Sequence, residues 1–148
     1  MRYTILFSII LLILFAGCGK NKFATTPSLI YKSENTRVVQ SGQEIRFTLS
    51  FTDKEGDLTD SLILSKEVVN CPAGNAVQLY PLPVFPTTKD QKGEIVVTLL
   101  YNVNGVNTIG SPQCQGQNDT ALFKFVLKDK AQHYSDTASS PSIIIIHQ

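Results

Sequence analysis

From Glu44 to Thr52 the chain reads EIRFTLSFT, with Ile45, Phe47, Leu49 and Phe51 alternating against Arg46, Thr48, Ser50 and Thr52. A period of two sends one set to each face of a β-strand, so this segment predicts a strand buried on one side and wet on the other. The alternation recurs at 93–103 through Ile95, Val97, Leu99, Tyr101 and Val103, and at 120–129 through Phe123, Phe125 and Leu127. Shorter strand signals lie at 28–33, 36–40 and 61–69. Residues 76–85 carry Pro81 and Pro83, with Pro86 next, which confines that strand to a sheet edge or makes it irregular. The chain closes on SPSIIIIHQ, whose consecutive isoleucines predict a strand covered on both faces. No segment has a convincing helical period, and none forms a glycine-rich phosphate loop. About seven short strands with regular turn signals predict an all-β, antiparallel sandwich.

The opening residues, MRYTILFSIILLILFAGCGK, break this pattern. Arg2 precedes an almost unbroken apolar run from Ile5 to Ala16, shorter than the roughly 20 residues that a membrane-spanning helix needs. A positive start, a short apolar core and small residues at the exit predict a secretory signal peptide. The exit, Phe15-Ala16-Gly17-Cys18, resembles the lipobox of bacterial lipoproteins, with Phe15 where that family more often has Leu. The resemblance implies cleavage after Gly17 and acylation of Cys18 by diacylglycerol and an amide-linked chain such as palmitate. Two or more acyl chains anchor stably where one binds only marginally, so the expected protein sits on a membrane without spanning it. Gly19, rather than Asp, after the cysteine implies the outer membrane, with either leaflet open. The expected organisation is a leader over 1–17, a lipidated cysteine and short tether over 18–27, and one domain over 28–148.

Thirteen Lys and Arg stand against twelve Asp and Glu, for a net charge of +1. Such a balance gives no long-range field directing the chain to nucleic acid. If Cys18 carries lipid, Cys71 and Cys114 remain as a pair in a compartment where disulfides form. A disulfide between them is the expectation, and two free thiols are the alternative. Zinc would need four ligands, and only His133 and His147 could join these cysteines.

The segment FTDKEGDLTD places Asp53, Glu55 and Asp57 around Gly56, directly after the first alternating strand. It fails as an EF-hand, which wants glycine sixth and a carboxylate twelfth. Counted from Asp53, Gly56 comes fourth and Leu64 twelfth. If the strands on either side are neighbours B and C of a sandwich, the loop KDKAQHYSDT is F–G and lies at the same end. Asp129 and Asp136 would then face Asp53, Glu55 and Asp57, and the acids could hold calcium. The competing reading, which the composition favours, is a polar turn satisfied by its own backbone and by Lys54, Lys128 and Lys130.

The stretches GQEIRFTLSFTDKEGDL and FKFVLKDKAQHYSDTASSPSIIII resemble immunoglobulin-like sandwiches of extracellular bacterial proteins in the PKD- and cadherin-like group. The resemblance implies an immunoglobulin-like fold and transfers no function. A hydrolase is the weakest expectation. His133, Ser135 and the acids of the F–G loop crowd one short segment, whereas a triad draws its members from separate packed elements. Asp60-Ser61-Leu62, Asp119-Thr120-Ala121 and Asp136-Thr137-Ala138 also resemble the O-glycosylation tripeptide of some exported bacterial proteins. The expected function is a non-enzymatic, lipid-anchored module that binds a protein or glycan ligand. An accessory subunit docking through a sheet edge is the alternative.

Overall fold

The computed structural model describes residues 25–58, 60–84, 86–105, 107–114 and 116–147. The leader, Cys18 and the first part of the tether lie outside the described residues. Among the described residues ten strands follow one another: β1 (Ser28–Glu34), β2 (Val38–Val39), β3 (Glu44–Asp53), β4 (Ser61–Val68), β5 (Ala76–Pro81), β6 (Gln91–Tyr101), β7 (Thr108–Ile109), β8 (Asp119–Lys128), β9 (Ala138–Ser139) and β10 (Ile143–Ile145). A 3-10 turn, Pro72–Gly74, joins β4 to β5.

The strands form two sheets. One has the order β1-β3-β6-β7; the other has the order β2-β10-β8-β4-β5, with β9 also paired to β8. The alternation decides which side chains meet between them. In β3 the residues Ile45, Phe47 and Leu49 are fully buried and Phe51 nearly so. In β8 the matching set is Ala121, Phe123, Phe125 and Leu127. Phe47 crosses from one sheet to the other, with its ring 4.9 Å from Phe123 and 5.2 Å from Phe125 at tilted angles. Such offset aromatic pairs add about 0.5–1.5 kcal/mol beyond burial of their area. Tyr101 is also fully buried and donates its hydroxyl to the Ile146 carbonyl at 2.7 Å, joining β6 to the end of the other sheet.

The prolines act as expected: β5 is the outer strand of its sheet, paired among the described residues with β4 alone. Two expectations are corrected. The sheets are mixed, because β2 pairs with β10 and β7 pairs with β6 in parallel. A parallel pair normally needs a long crossover. Here β7 returns after a short loop that turns back through Asn102 and Asn107, both with left-handed backbones, which Asn tolerates better than most residues. The terminal isoleucines are covered on one face only, Ile143 and Ile145 being buried and Ile144 half-buried. That short strand is secured instead along both edges, by β2 and β8.

Cys71 and Cys114 form a disulfide, with Cα atoms 6.0 Å apart. It links the β4–β5 connection to the β7–β8 connection at one end of the sandwich. Closing a loop of this separation, 43 residues, stabilises the fold by about 4 kcal/mol in the chain-entropy account. Reduction by dithiothreitol is expected to lower unfolding stability by about that amount in a urea titration. Phe47→Ala is expected to cost about 3–5 kcal/mol in the same assay, and a loss below about 1 kcal/mol would deny Phe47 its place between the sheets.

Candidate functional site

The end opposite the disulfide gathers three loops. The β3–β4 loop is the segment expected as B–C, and the β8–β9 loop is the one expected as F–G. They touch: the Lys130 N–H donates to the Asp57 carbonyl at 3.2 Å. The β5–β6 connection closes over them through Asp90 N–H to the Lys54 carbonyl at 3.0 Å and Leu82 N–H to the Asp60 carbonyl at 3.3 Å. Gly56 makes this closure possible. Its φ is +71°, and a Cβ there would lie 2.1 Å from the Thr88 carbonyl oxygen.

The alternation that buries the apolar face of β3 runs one residue further and buries Asp53 completely. Its Oδ2 accepts the N–H groups of Gly56 at 2.6 Å and Asp57 at 3.1 Å, which turns the chain sharply. Its Oδ1 is buried with no hydrogen-bond partner among the described residues, and the same holds for Asp57 Oδ1 and Gln91 Oε1. Gln91 is the residue directly opposite Asp53 in the β3–β6 pairing, and side chains so paired lie about 4.5–5.5 Å apart at Cβ.

Asp129 is fully buried and is held by His133, whose backbone N–H donates to Oδ1 at 2.7 Å and whose Nδ1 lies 3.0 Å from Oδ2. Burial raises the Asp53 carboxyl pKa above its ordinary value; the two N–H donors oppose the shift, and the charges of Asp57 and Asp129 reinforce it. Of the five acids expected to converge, Asp53 and Asp57 share one turn, and the charges of Asp57 and Asp129 act on Asp53. Glu55 and Asp136 do not join them: both are exposed, and neither side chain makes a hydrogen bond or ion pair with the described residues. The three lysines divide. Lys128 pairs with Asp60 at 3.2 Å and lies over the Tyr134 ring, whereas Lys54 and Lys130 are exposed and reach no acid among the described residues. No three carboxylate, imidazole or thiol side chains cluster as a ready metal site among the described residues.

Ser135 is occupied by the backbone. Its hydroxyl accepts from Leu127 N–H at 2.9 Å and donates to the Asp136 carbonyl at 2.8 Å, while His133 faces Asp129. The loop is thereby ordered by its own polar side chains.

Sequence reasoning missed Gln91, because strand register is not written in the local pattern. It also missed a buried pair in the disulfide half of the sandwich. Lys66 points inward from β4, with its Nζ 3.7 Å from Asp119 Oδ2, and neither Asp119 oxygen has a hydrogen bond. Counting by twos from Leu62 and Leu64 would have found Lys66. Burial lowers its ammonium pKa, and the Asp119 charge opposes the shift.

No protein-family model matches the chain, and no curated protein matches it. Among solved structures, the sporulation control protein Spo0M from Bacillus subtilis is similar at a TM-score of 0.47 and 9% identity. The match covers 84% of this chain and 51% of that one, so the chain spans about half its length. A likeness at that level carries no argument about function.

Three outcomes follow from the geometry. Gly56→Ala forces both a left-handed alanine and a collision with backbone, and is expected to lose about 2–4 kcal/mol; a variant as stable as wild type would contradict the closure. Asp119→Ala leaves a buried ammonium alone and should cost about 3–5 kcal/mol, whereas Lys66→Met with Asp119→Leu should be near neutral. A loss in the double variant as large as in the single would assign the pair a net stabilising role. Because the folded Asp53 carboxyl binds its proton more tightly than the unfolded one, stability falls as pH rises from about 3.8 through the raised value. Asp53→Asn should flatten that fall in urea titrations taken upward from about pH 3.8.

Proposed function

We propose that the chain is a lipid-anchored, non-enzymatic binding module of the cell envelope, held at the outer membrane through acylated Cys18. Its domain is read as an immunoglobulin-like sandwich of the PKD- and cadherin-like kind. The pairing order supports that reading: β1 joins β3 and β6 in one sheet, while β2, from the same leading segment, crosses to the sheet of β10, β8 and β4. The observation that carries the binding reading is the union of the β3–β4 and β8–β9 loops at one end, through Lys130 and Asp57. Sandwich ends of this kind present loops on a rigid frame, the usual location of recognition. The surface there offers Lys54, Glu55, Lys130 and a half-exposed Tyr134, a mixed polar and aromatic set suited to a protein or glycan. A calcium ion among the buried oxygens would order the same loops.

A second reading has its own support. The outer edge of β5 pairs with no strand among the described residues, its Val77 and Leu79 are 72% and 67% exposed, and such an edge can accept a partner strand. The two readings separate in a pull-down of the full-length protein from native membranes. Loop-directed binding predicts that Tyr134→Ala and Lys130→Glu lose the captured partner while Tm is unchanged. Edge docking predicts that Leu79→Lys loses it and the loop variants do not. The anchor is tested by metabolic labelling with an alkynyl palmitate analogue: the wild-type chain should take up label and Cys18→Ala should not. An unlabelled wild-type chain would refute the anchor.

A further inference from the structure

We infer that the cleft between β5 and β7, on the open side of the sandwich, binds a neutral saccharide, with Lys66 at its base. The cleft lies apart from the loop-end surface, and the inference depends on neither the lipid anchor nor the partner proposed there.

The observation that carries it is the reversed pattern of β5. Register sets Ala76 opposite Lys66, Gln78 opposite Leu64 and Tyr80 opposite Leu62. Directly paired residues share a face of the sheet, and Leu62 and Leu64 are buried between the sheets. Ala76, Gln78 and Tyr80 therefore face the opposite sheet, where a sandwich strand ordinarily places its large apolar side chains. Val77 and Leu79 take the outer face and lie exposed. A strand whose only duty was to close the core would carry the opposite pattern. Such departures from patterning are expected where a site is built.

The opposite sheet leaves this face open. Its β7 is two residues long and pairs with Leu100 and Tyr101 at the end of β6. Between β5 and β7 a cavity of about 50 Å³ reaches inward to a floor of Leu64, Leu99 and Phe123, and Lys66 lines it. Gln78 and Thr108 line both this cavity and an adjoining groove of about 640 Å³, which also carries Tyr80 and Asn107. An apolar floor with a few converging polar groups is the usual make-up of a small-molecule site.

The polar groups are set in advance. The Tyr80 hydroxyl donates to Gln78 Oε1, and Gln78 Nε2 donates to the Thr108 carbonyl at 3.4 Å. A carboxamide has two N–H donors and two acceptor positions, so Gln78 keeps one of each for a ligand. Lys66 supplies a donor from the interior, since its ion-pair partner Asp119 Oδ2 stands 3.7 Å from Nζ, beyond hydrogen-bond distance. Among the described residues Lys66 alone is charged in the lining of cavity and groove. The Asp119 carboxylate behind it offsets that charge, so the cleft has no net charge with which to select an anion. Donors and acceptors side by side suit hydroxyl groups, each of which both donates and accepts. The apolar floor and the Tyr80 ring suit the C–H faces of a sugar. The cavity has the volume of about two waters and admits one exocyclic group, while the groove takes the ring that bears it.

The test is isothermal titration of the full-length protein, solubilised in a non-glycosidic detergent, with cellotetraose, maltotetraose and xylotetraose, and with trigalacturonate as the acidic contrast. At least one neutral sugar should give saturable heat at millimolar concentration. Gln78→Ala removes an exposed side chain, so it should fold with unchanged Tm and weaken binding by about 3–10-fold. Leu79→Lys on the outer face of β5 and Tyr134→Ala at the loop end should bind the sugar as wild type does, even where they lose a captured protein. No saturable heat with any of the three neutral sugars overturns the inference, as does a response to trigalacturonate alone. Unchanged affinity in Gln78→Ala, or lost affinity in a folded Leu79→Lys, would place the sugar elsewhere and overturn it too.

Discussion

Everything in this domain is arranged around the period-two alternation of one strand. β3 pairs with β1 on one side and β6 on the other, and its inward face sends Phe47 between Phe123 and Phe125 of the opposite sheet. That contact fixes the face of β3, and a slip of one residue would turn every one of its apolar side chains to water. The same constraint has a polar consequence at the end of the strand. Having buried Ile45, Phe47, Leu49 and Phe51, the alternation must bury Asp53 as well. The carboxylate is thus inside because the hydrophobic face is inside, and the surrounding loops have to accommodate it.

The two ends of the sandwich meet their polar demands differently. One end is closed covalently by Cys71–Cys114, with Asn70 locking the neighbouring strand through donation to the Asn118 carbonyl and acceptance from Thr120 N–H. Its half of the sandwich also holds the Lys66–Asp119 pair, two opposite charges that compensate each other between the sheets. The other end has no covalent closure among the described residues. It has Gly56 pressed against the Thr88 backbone, the Lys130–Asp57 bridge and an excess of oxygen acceptors. Charge is compensated internally at one end, whereas the other turns its buried carboxylates onto backbone N–H groups.

Most of the fold was legible because alternation reports directly on which face is buried. β3, β6 and β8 fall where their apolar positions put them, and the prolines of the 76–85 segment mark an outer strand. β7 and β9 were not legible, since strands of two residues have no period to detect. The parallel pairings were equally hidden, because they depend on a loop that doubles back through left-handed asparagines. At the loop end, sequence proximity brought out Asp53 and Asp57, and sandwich topology brought in Asp129. Glu55 and Asp136 were misjudged because the turn made by Asp53 leaves Glu55 facing solvent, and Ser135 takes up the inward position of its loop. Gln91 lies far along the chain and enters only through its register opposite Asp53.

The central claim is that the period-two alternation of β3 carries Asp53 into the interior together with the apolar face. A high-resolution crystal structure of the protein measures this directly. The account predicts a fully buried Asp53 whose Oδ2 accepts the N–H groups of Gly56 and Asp57. An Asp53 side chain turned to solvent, or β3 slipped by one residue against β6, would contradict it.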